Sequence, residues 1–339
     1  MKNQRVVVSE FGGPGCLQVI EEEAPRPGAG EVRVRVLAAG VSFADLLMRE
    51  GVHPERRRPP FTLGWDVVGR VDALGRNVGS LAEGDTVAAL TIRGGYSRYI
   101  CLPETELVAV PDGVDPASAV CLIMDYVVGY QMLHRSVSLD SGDKVLIHGA
   151  SGGCGTALLQ LGRLMGLRMF GTASLQNHDH VRRLGGEPID YRAEDFVDRV
   201  REDGRVHAVF DGVGGSDLYR SYRCLLRGGT LVFYGMTSAL RSGRRSASSL
   251  VSSLAYPAGA FALNLWPDGR TFKLYSIQMR RRRHPADYRH DLGGLLQRLG
   301  RGEISPVVAR RFGLHDATAA HELLARKTFP GKIVLTNQD

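Results

Sequence analysis

The residues with the most chemical promise are four glycines in one short run. Gly149, Gly152, Gly153 and Gly155 lie in the stretch KVLIHGASGGCG over 144–155. Apolar residues lead into it, and a segment with apolar residues at helical spacing, 156–166, leads out. A strand that turns tightly into a helix points the first backbone N–H groups of that helix at an anion. Residues without a Cβ let phosphate oxygens come close to the main chain. The chemistry expected is capture of a nucleotide diphosphate by Ala150, Ser151, Gly152, Gly153, Cys154 and Gly155. A ligand-free strand-to-helix turn uses the same residue types, but the further strand–helix units that follow favour a dinucleotide.

Such sites choose their dinucleotide about twenty residues further on. An acid there binds a ribose 2′-OH, whereas a small polar or basic group admits a 2′-phosphate. The next apolar run ends Gly171, Thr172, Ala173, Ser174, and no acid occurs before Asp179. Ser174 offers a hydroxyl, and His178, Arg182 and Arg183 add positive charge. NADPH is therefore expected rather than NADH, although Ser174 would also serve as a plain helix cap. Two later strand ends, DGVGG at 211–215 and YGMT at 234–237, lie where ligands gather on parallel sheets. Val213, Gly235 and Met236 are expected to run close to ribose and nicotinamide.

The elements that position these residues follow from patterning. The chain has 339 residues, enough for two domains. Residues 1–119 read as β-rich, with short apolar runs at 32–37, 67–72, 86–90, 99–102 and 107–110 between Gly and Pro punctuation. Residues 116–135 carry a helical apolar stripe. Strands at 145–148, 168–173, 188–191, 206–211 and 230–234 then alternate with helices at 156–166, 179–184, 194–202 and 217–226. That alternation predicts an α/β fold with a parallel sheet. Residues 238–265 break it: a Ser- and Arg-rich surface loop over 241–253 precedes an apolar segment placed at a subunit or domain interface. A last strand at 273–278, helices at 290–300 and 316–327, and a closing strand at 332–335 complete the pattern.

Bulk properties narrow the function classes. The net charge of +7 comes almost wholly from arginine, densest at Arg280, Arg281, Arg282 and Arg283. No aromatic interleaving or nucleic-acid motif accompanies that run, so a solvated surface is expected and nucleic acid is not. The five cysteines are scattered with no CxxC pair, which argues against a disulfide framework and a cysteine-rich zinc lobe. No uninterrupted apolar run reaches ~18 residues, and residues 1–8 lack a signal-peptide core. A cytoplasmic chain without a membrane span is expected.

Several motifs together resemble the medium-chain dehydrogenase/reductase superfamily, in its zinc-independent quinone oxidoreductase branch, and there the homologues of the vesicle amine transport protein. They are AGVSFAD (39–45), LGWDVVG (63–69), GGYSRY (94–99), the glycine loop, VFDGVGG (209–215) and GKIVL (331–335). The resemblance implies a GroES-like catalytic domain over 1–119. It implies a Rossmann domain with a doubly wound parallel sheet over 120–279, and a return to the catalytic domain over 280–339. It also implies a cleft between the domains and homodimers joined at Rossmann edges.

Zinc-dependent relatives carry Cys at the position of Ser42 and His at that of Trp65. Neither Ser nor Trp ligates Zn²⁺, so no metal is expected. The implied activity is hydride transfer from NADPH to a quinone or an α,β-unsaturated carbonyl compound. Ser42, by its place in the motif, and Tyr126 are the candidate donors to the substrate carbonyl. Asp45 and Asp66 are expected to be structural acceptors. Ser42 replaces the branch's usual Asn, Val128 replaces a polar residue, and the usual 2′-phosphate Lys is missing near Asn177 and His178, while its Tyr is kept as Tyr191. Trp65 suits either a flat substrate wall or core packing. Two alternatives remain open: a discrete enoyl reductase of polyketide-type biosynthesis whose arginine run meets an acidic acyl carrier protein, and a non-catalytic cofactor- or RNA-binding protein.

Overall fold

A computed structural model describes residues 1–55, 57–241, 244–245, 259–265, 267–326 and 328–337. The N-terminal part is built from β1 (Lys2–Val8), β2 (Leu17–Glu23), β3 (Glu31–Val41), β4 (Phe61–Thr62), β5 (Asp66–Leu74), β6 (Thr86–Leu90), β7 (Tyr99–Pro103) and β8 (Val108–Ala109). In β3, Val32, Val34 and Val36 are buried while Arg33 and Arg35 lie on the other face. That alternation is what a strand with one face on a core requires. A short helix, α1 (Phe43–Arg49), leaves β3 through a capping box made by Ser42 and Asp45.

The nucleotide-type sheet contains β9 (Lys144–His148), β10 (Arg168–Ala173), β11 (Gly186–Asp190), β12 (Val206–Asp211) and β13 (Leu225–Phe233). A small ribbon, β14 (Leu240–Arg241) with β15 (Arg244–Arg245), precedes its edge strand, β16 (Thr271–Leu274). The order is β11-β10-β9-β12-β13-β16, with every pairing parallel. This is the doubly wound order, and the direction of winding reverses between β9 and β12. Buried Val145, Leu146 and Ile147 of β9 and Ala208, Val209 and Phe210 of β12 form the apolar runs that a two-sided sheet demands.

The last strands, β17 (Val308–Gly313) and β18 (Lys332–Thr336), lie beside β3, so a seven-stranded sheet runs β17-β18-β3-β5-β6-β8, with β7 also on β3. Just before β18 the Gly331 N–H donates to the Ser151 carbonyl of the glycine loop at 2.8 Å. The same short segment therefore touches the nucleotide loop and then enters the N-terminal sheet.

Residues 116–135 do form one helical rod, but it is not uniformly α. It comprises α2 (Pro116–Cys121), a π turn (Leu122–Tyr126) and α3 (Val127–Arg135). Single π turns in α-helices are frequent at functional sites, and this one carries Asp125 and Tyr126. By length and composition the rod could cross a membrane, yet most of it is buried inside the protein, as a core helix.

The segment 273–278 departs from its predicted strand. The strand ends at Leu274, and Ser276 caps a helix, Ile277–Arg283, by accepting the Met279 N–H. Two further helices, α4 (Gly153–Leu164) and α5 (Asp217–Arg223), position the site. Most of the stretch read as a surface loop, 241–253, lies outside the described residues.

Candidate cofactor site and active cleft

The glycine loop leaves β9 at Gly149, whose φ of +67° is a conformation that favours glycine. Its shape comes from the main chain: Ala150 N–H donates to the Thr172 carbonyl and Gly152 N–H to that of Gly149, both at 3.0 Å. Helix α4 begins at once, with Gly152 as its cap residue, no side chain capping the first turn and no acid within it. The amides of Gly153, Cys154 and Gly155 open this helix and have no intrahelical acceptor. A Cβ on Gly155 would lie 2.6 Å from the Cα of Ala150, so loop and helix pack too closely for any side chain there. One on Gly152 would meet nothing nearer than 3.4 Å. An uncapped helix start at the carboxyl end of a parallel sheet fits a dinucleotide diphosphate.

On the adenosine side, Ala173 pairs with Asp190 in register, which sets Ser174 and Tyr191 beside each other just past their strands. Ser174 is buried and makes no side-chain cap bond; Tyr191 is exposed. Asn177 Nδ2 lies 3.4 Å from Ser174 Oγ and 3.3 Å from Ser151 Oγ, tying this corner to the glycine loop. The Arg192 guanidinium sits over the Tyr191 ring at 5.5 Å. Arg192 escaped the sequence reasoning, although it adjoins Tyr191. Arg182, by contrast, pairs with Asp179 on the surface.

On the nicotinamide side, the loops after β12 and β13 lie together. Thr237 N–H donates to Gly212 O and Ser238 N–H to Val213 O, at 3.2 and 3.0 Å. Val213, Gly235 and Met236 thus share one corner. Met236 packs on an apolar cluster that includes Leu46 and Leu47 of α1. This contact joins the N-terminal part to the nucleotide-type sheet.

A buried charge cluster stands behind the glycine loop. Lys332 Nζ lies 2.9 Å from Asp66 Oδ2 and 3.3 Å from Asp125 Oδ2. A Cβ on Gly153 would fall within contact of the Asp125 carboxylate. Strand β5, the π turn, β18 and the start of α4 therefore meet at one point. Burial opposes the charge on Lys332, but Asp125 and Asp66 outweigh it and raise its pKa. Burial raises Asp66 even against the opposing effect of Lys332.

Ser42 caps α1, and its hydroxyl donates to Asp45 Oδ2 at 2.8 Å. Asp45 also accepts the N–H groups of Ser42 and Gly64, at 2.9 and 3.0 Å. A second buried series lies behind it: Arg49 Nη1 is 3.1 Å from His321 Nδ1, and His321 Nε2 is 3.2 Å from the Tyr96 hydroxyl. Burial pushes the Asp45 carboxyl up to about 6 from an ordinary 3.8, against the hydrogen bonds from Ser42 and Gly64. Between these values the native state binds more protons than the unfolded chain. Stability from this group therefore falls as pH rises from about 4 to 6, by on the order of 3 kcal/mol. Asp45→Asn is expected to flatten that slope in urea titrations at pH 4, 5 and 6; an unchanged slope contradicts the assignment.

Tyr126 is buried, and its hydroxyl has no partner; the indole Nε1 of Trp65 and Oδ1 of Asp66 are also buried and unpaired. Burial raises the Tyr126 phenol further above its ordinary value, so it stays a neutral donor. Trp65 is only 2% exposed and meets the His53 ring edge-on at 5.1 Å. It is therefore a packed residue with one free donor rather than an open wall. His53 went unnoticed in the sequence; burial pushes its pKa down to about 4, and its Nδ1 accepts the Glu55 N–H. A zinc ion does not fit Ser42 and Trp65: one hydroxyl proton is given to Asp45, and an indole is no ligand.

The arginine run is divided: Arg282 and Arg283 are exposed, as expected of a solvated surface, while Arg280 and Arg281 are half-buried. Arg280 pairs with Asp287 at 3.3 Å, and Arg282 with Glu55 at 3.3 Å. Arg281 pairs with Glu106 at 3.1 Å and also donates to the Leu90 carbonyl. Two of the three bind acids of the N-terminal part, so the run pins its helix across the molecule.

A GroES-like sheet domain joined to a doubly wound parallel sheet, with a glycine loop at the winding reversal, defines the class of medium-chain dehydrogenases and reductases. Comparisons with known proteins agree. Residues 28–112 match the alcohol dehydrogenase GroES-like domain, and residues 184–335 the zinc-binding dehydrogenase domain. The quinone oxidoreductase of Pseudomonas aeruginosa is 31% identical over 339 residues, covering 98% of this chain and 99% of that protein. The synaptic vesicle membrane protein VAT-1 homolog of mouse is 34% identical over 247 residues, covering 71% of this chain. That match spans 61% of the length of the mouse protein. The structure of Escherichia coli quinone oxidoreductase complexed with NADPH superposes with a TM-score of 0.86, at 26% identity over 98% of this chain and 99% of that one. The chain belongs to the medium-chain dehydrogenase/reductase superfamily, in its quinone oxidoreductase branch.

Proposed function

We propose that the protein is an NADPH-dependent reductase of quinones or α,β-unsaturated carbonyl compounds that works without zinc. The observation that carries this is the uncapped start of α4 beside Ser174, Tyr191 and Arg192. The relative solved with NADPH supports the cofactor. NADPH supplies the hydride from its nicotinamide C4. The amides at 153–155 hold the diphosphate. Ser174 and Tyr191, with Arg192, hold the 2′-phosphate. Tyr126 donates its unpaired hydroxyl proton in a hydrogen bond to the substrate oxygen, where negative charge gathers. Ser42, committed to Asp45, acts on that site through the placement of α1.

The test is NADPH consumption against a panel of quinones and enones, run beside NADH. Turnover with NADPH preferred is expected, and Tyr126→Phe should lower kcat by about 10²-fold with little change in NADPH Kd. Cofactor binding without turnover of any panel member overturns the proposal. Arg280 and Arg281 are half-buried in ion pairs, which leaves Arg282 and Arg283 exposed in the run that motivated a carrier-protein or RNA partner. A homodimer is proposed through the edge of β16, where Leu274 is half exposed.

A further inference from the structure

His148 ends β9 at the point where the sheet's winding reverses, and it is 5% exposed. Its Nδ1 lies 3.1 Å from Thr172 Oγ1 at the end of β10, and its Nε2 lies 2.9 Å from Ser221 Oγ on α5. Ser221 Oγ is 3.2 Å from Asp211 Oδ2. The other oxygen of Asp211 accepts the N–H groups of Val213 and Gly214, at 2.8 and 2.9 Å. At the far end, Thr172 Oγ1 accepts the Gly149 N–H at 3.1 Å. An unbroken series of hydrogen bonds thus runs from the glycine loop to the loop after β12.

Its proton directions are forced. An ionised carboxylate only accepts, so Ser221 donates to Asp211. Ser221 must then accept from His148, which places the imidazole proton on Nε2. Nδ1 is left to accept, so Thr172 donates to it while taking the Gly149 N–H on a lone pair. A neutral imidazole satisfies every group; with an imidazolium, Thr172 would accept from Nδ1 as well as from Gly149, and its own proton would have no acceptor in this series. Burial also drives His148 toward the neutral form. The ring is held edge-on by Phe196, with centroids 4.7 Å apart.

We infer that His148 is a positioning residue for the cofactor. As a fixed neutral Nε2–H tautomer, it sets the phosphate loop at 149–155 and the nicotinamide-side loop at 211–215 at one separation, so that both ends of the dinucleotide seat together. This rests on the cofactor assignment above. A ligand that touches only the phosphate loop gains nothing from the fixed separation. A ligand that spans both loops gains the cost of ordering them.

Isothermal titration of the full chain with NADPH and with adenosine 2′,5′-bisphosphate separates the possibilities. His148→Leu is expected to raise the NADPH Kd by about ten-fold or more, while the Kd of the bisphosphate changes by less than about three-fold. Ser221→Ala breaks the same series one group further on and should reproduce the split, including if His148→Leu fails to fold. His148→Gln keeps a donor toward Ser221 and should recover part of the NADPH affinity. In the wild-type protein, ¹⁵N NMR should show His148 neutral with its proton on Nε2 across pH 5–8. Equal weakening of both ligands, or no weakening of either, overturns the inference, as does an Nδ1–H tautomer. Failure of the wild-type protein to bind NADPH at all instead overturns the cofactor assignment.

Discussion

Lys332→Met is expected to cost about 3–5 kcal/mol of folding stability, the usual result of removing one partner from a buried ion pair. Asp66 would keep its buried carboxylate, and Asp125 its half-buried one, without the ammonium that faces them at 2.9 and 3.3 Å. No solvent can replace it, since Lys332 and Asp66 side chains are 3% and 0% exposed. The sign of the pH dependence follows. In the wild type the raised pKa of Lys332 keeps its stabilisation present below the ordinary value of 10.5, and it is lost only as pH rises through the raised value. In Lys332→Met, Asp66 loses the one influence that most opposes its burial, so its pKa climbs further. The native variant then binds extra protons, and its stability falls as pH rises above the ordinary carboxylate range. Urea denaturation should therefore show a larger deficit at pH 8 than at pH 5, and Lys332→Met/Asp66→Asn should recover part of it. A loss below about 1 kcal/mol, the size of an exposed pair, contradicts the buried cluster.

How much of this was legible before the fold depends on how far apart the partners lie in the chain. Strands at 86–90, 168–173 and 206–211 match their predicted bounds, because runs such as Val206 to Asp211 are bounded by glycine or charge on both sides. The glycine loop is equally local. The helix Ile277–Arg283 was hidden, since its four arginines give no apolar stripe; it is fixed by a Ser276 cap and by ion pairs to distant acids. Helix α1 had a readable signal, the Ser42–Asp45 capping box, but its shortness left no periodicity. The π turn could not be read at all, because the apolar stripe of 116–135 is the same with or without it. The clusters that matter most join residues far apart in sequence: Lys332 with Asp66, and His148 with Ser221. Nothing in local spacing announces such pairs.

Gly155→Ala is expected to weaken NADPH binding by at least about 100-fold, or about 2.7 kcal/mol. The added methyl would lie 2.6 Å from backbone atoms of Ala150, and backbone cannot rotate aside as a side chain can. Either the loop at 149–152 moves off the start of α4 or the helix tilts. Both displace the open amides from the diphosphate. The movement also strains the Gly331–Ser151 hydrogen bond and the Gly149–Thr172 contact, so a stability cost of about 1–3 kcal/mol should accompany it. Gly152→Ala is the informative contrast. Its φ of −70° suits any residue, and its methyl would meet only the Gly149 carbonyl at 3.4 Å. That variant should fold with nearly wild-type stability and still bind NADPH less tightly, because its methyl stands where the main chain meets phosphate. Calorimetric titration and thermal melts of the two variants together separate damage to the loop from obstruction of the ligand. If Gly155→Ala binds NADPH as the wild type does, the amides of α4 are not what holds the cofactor.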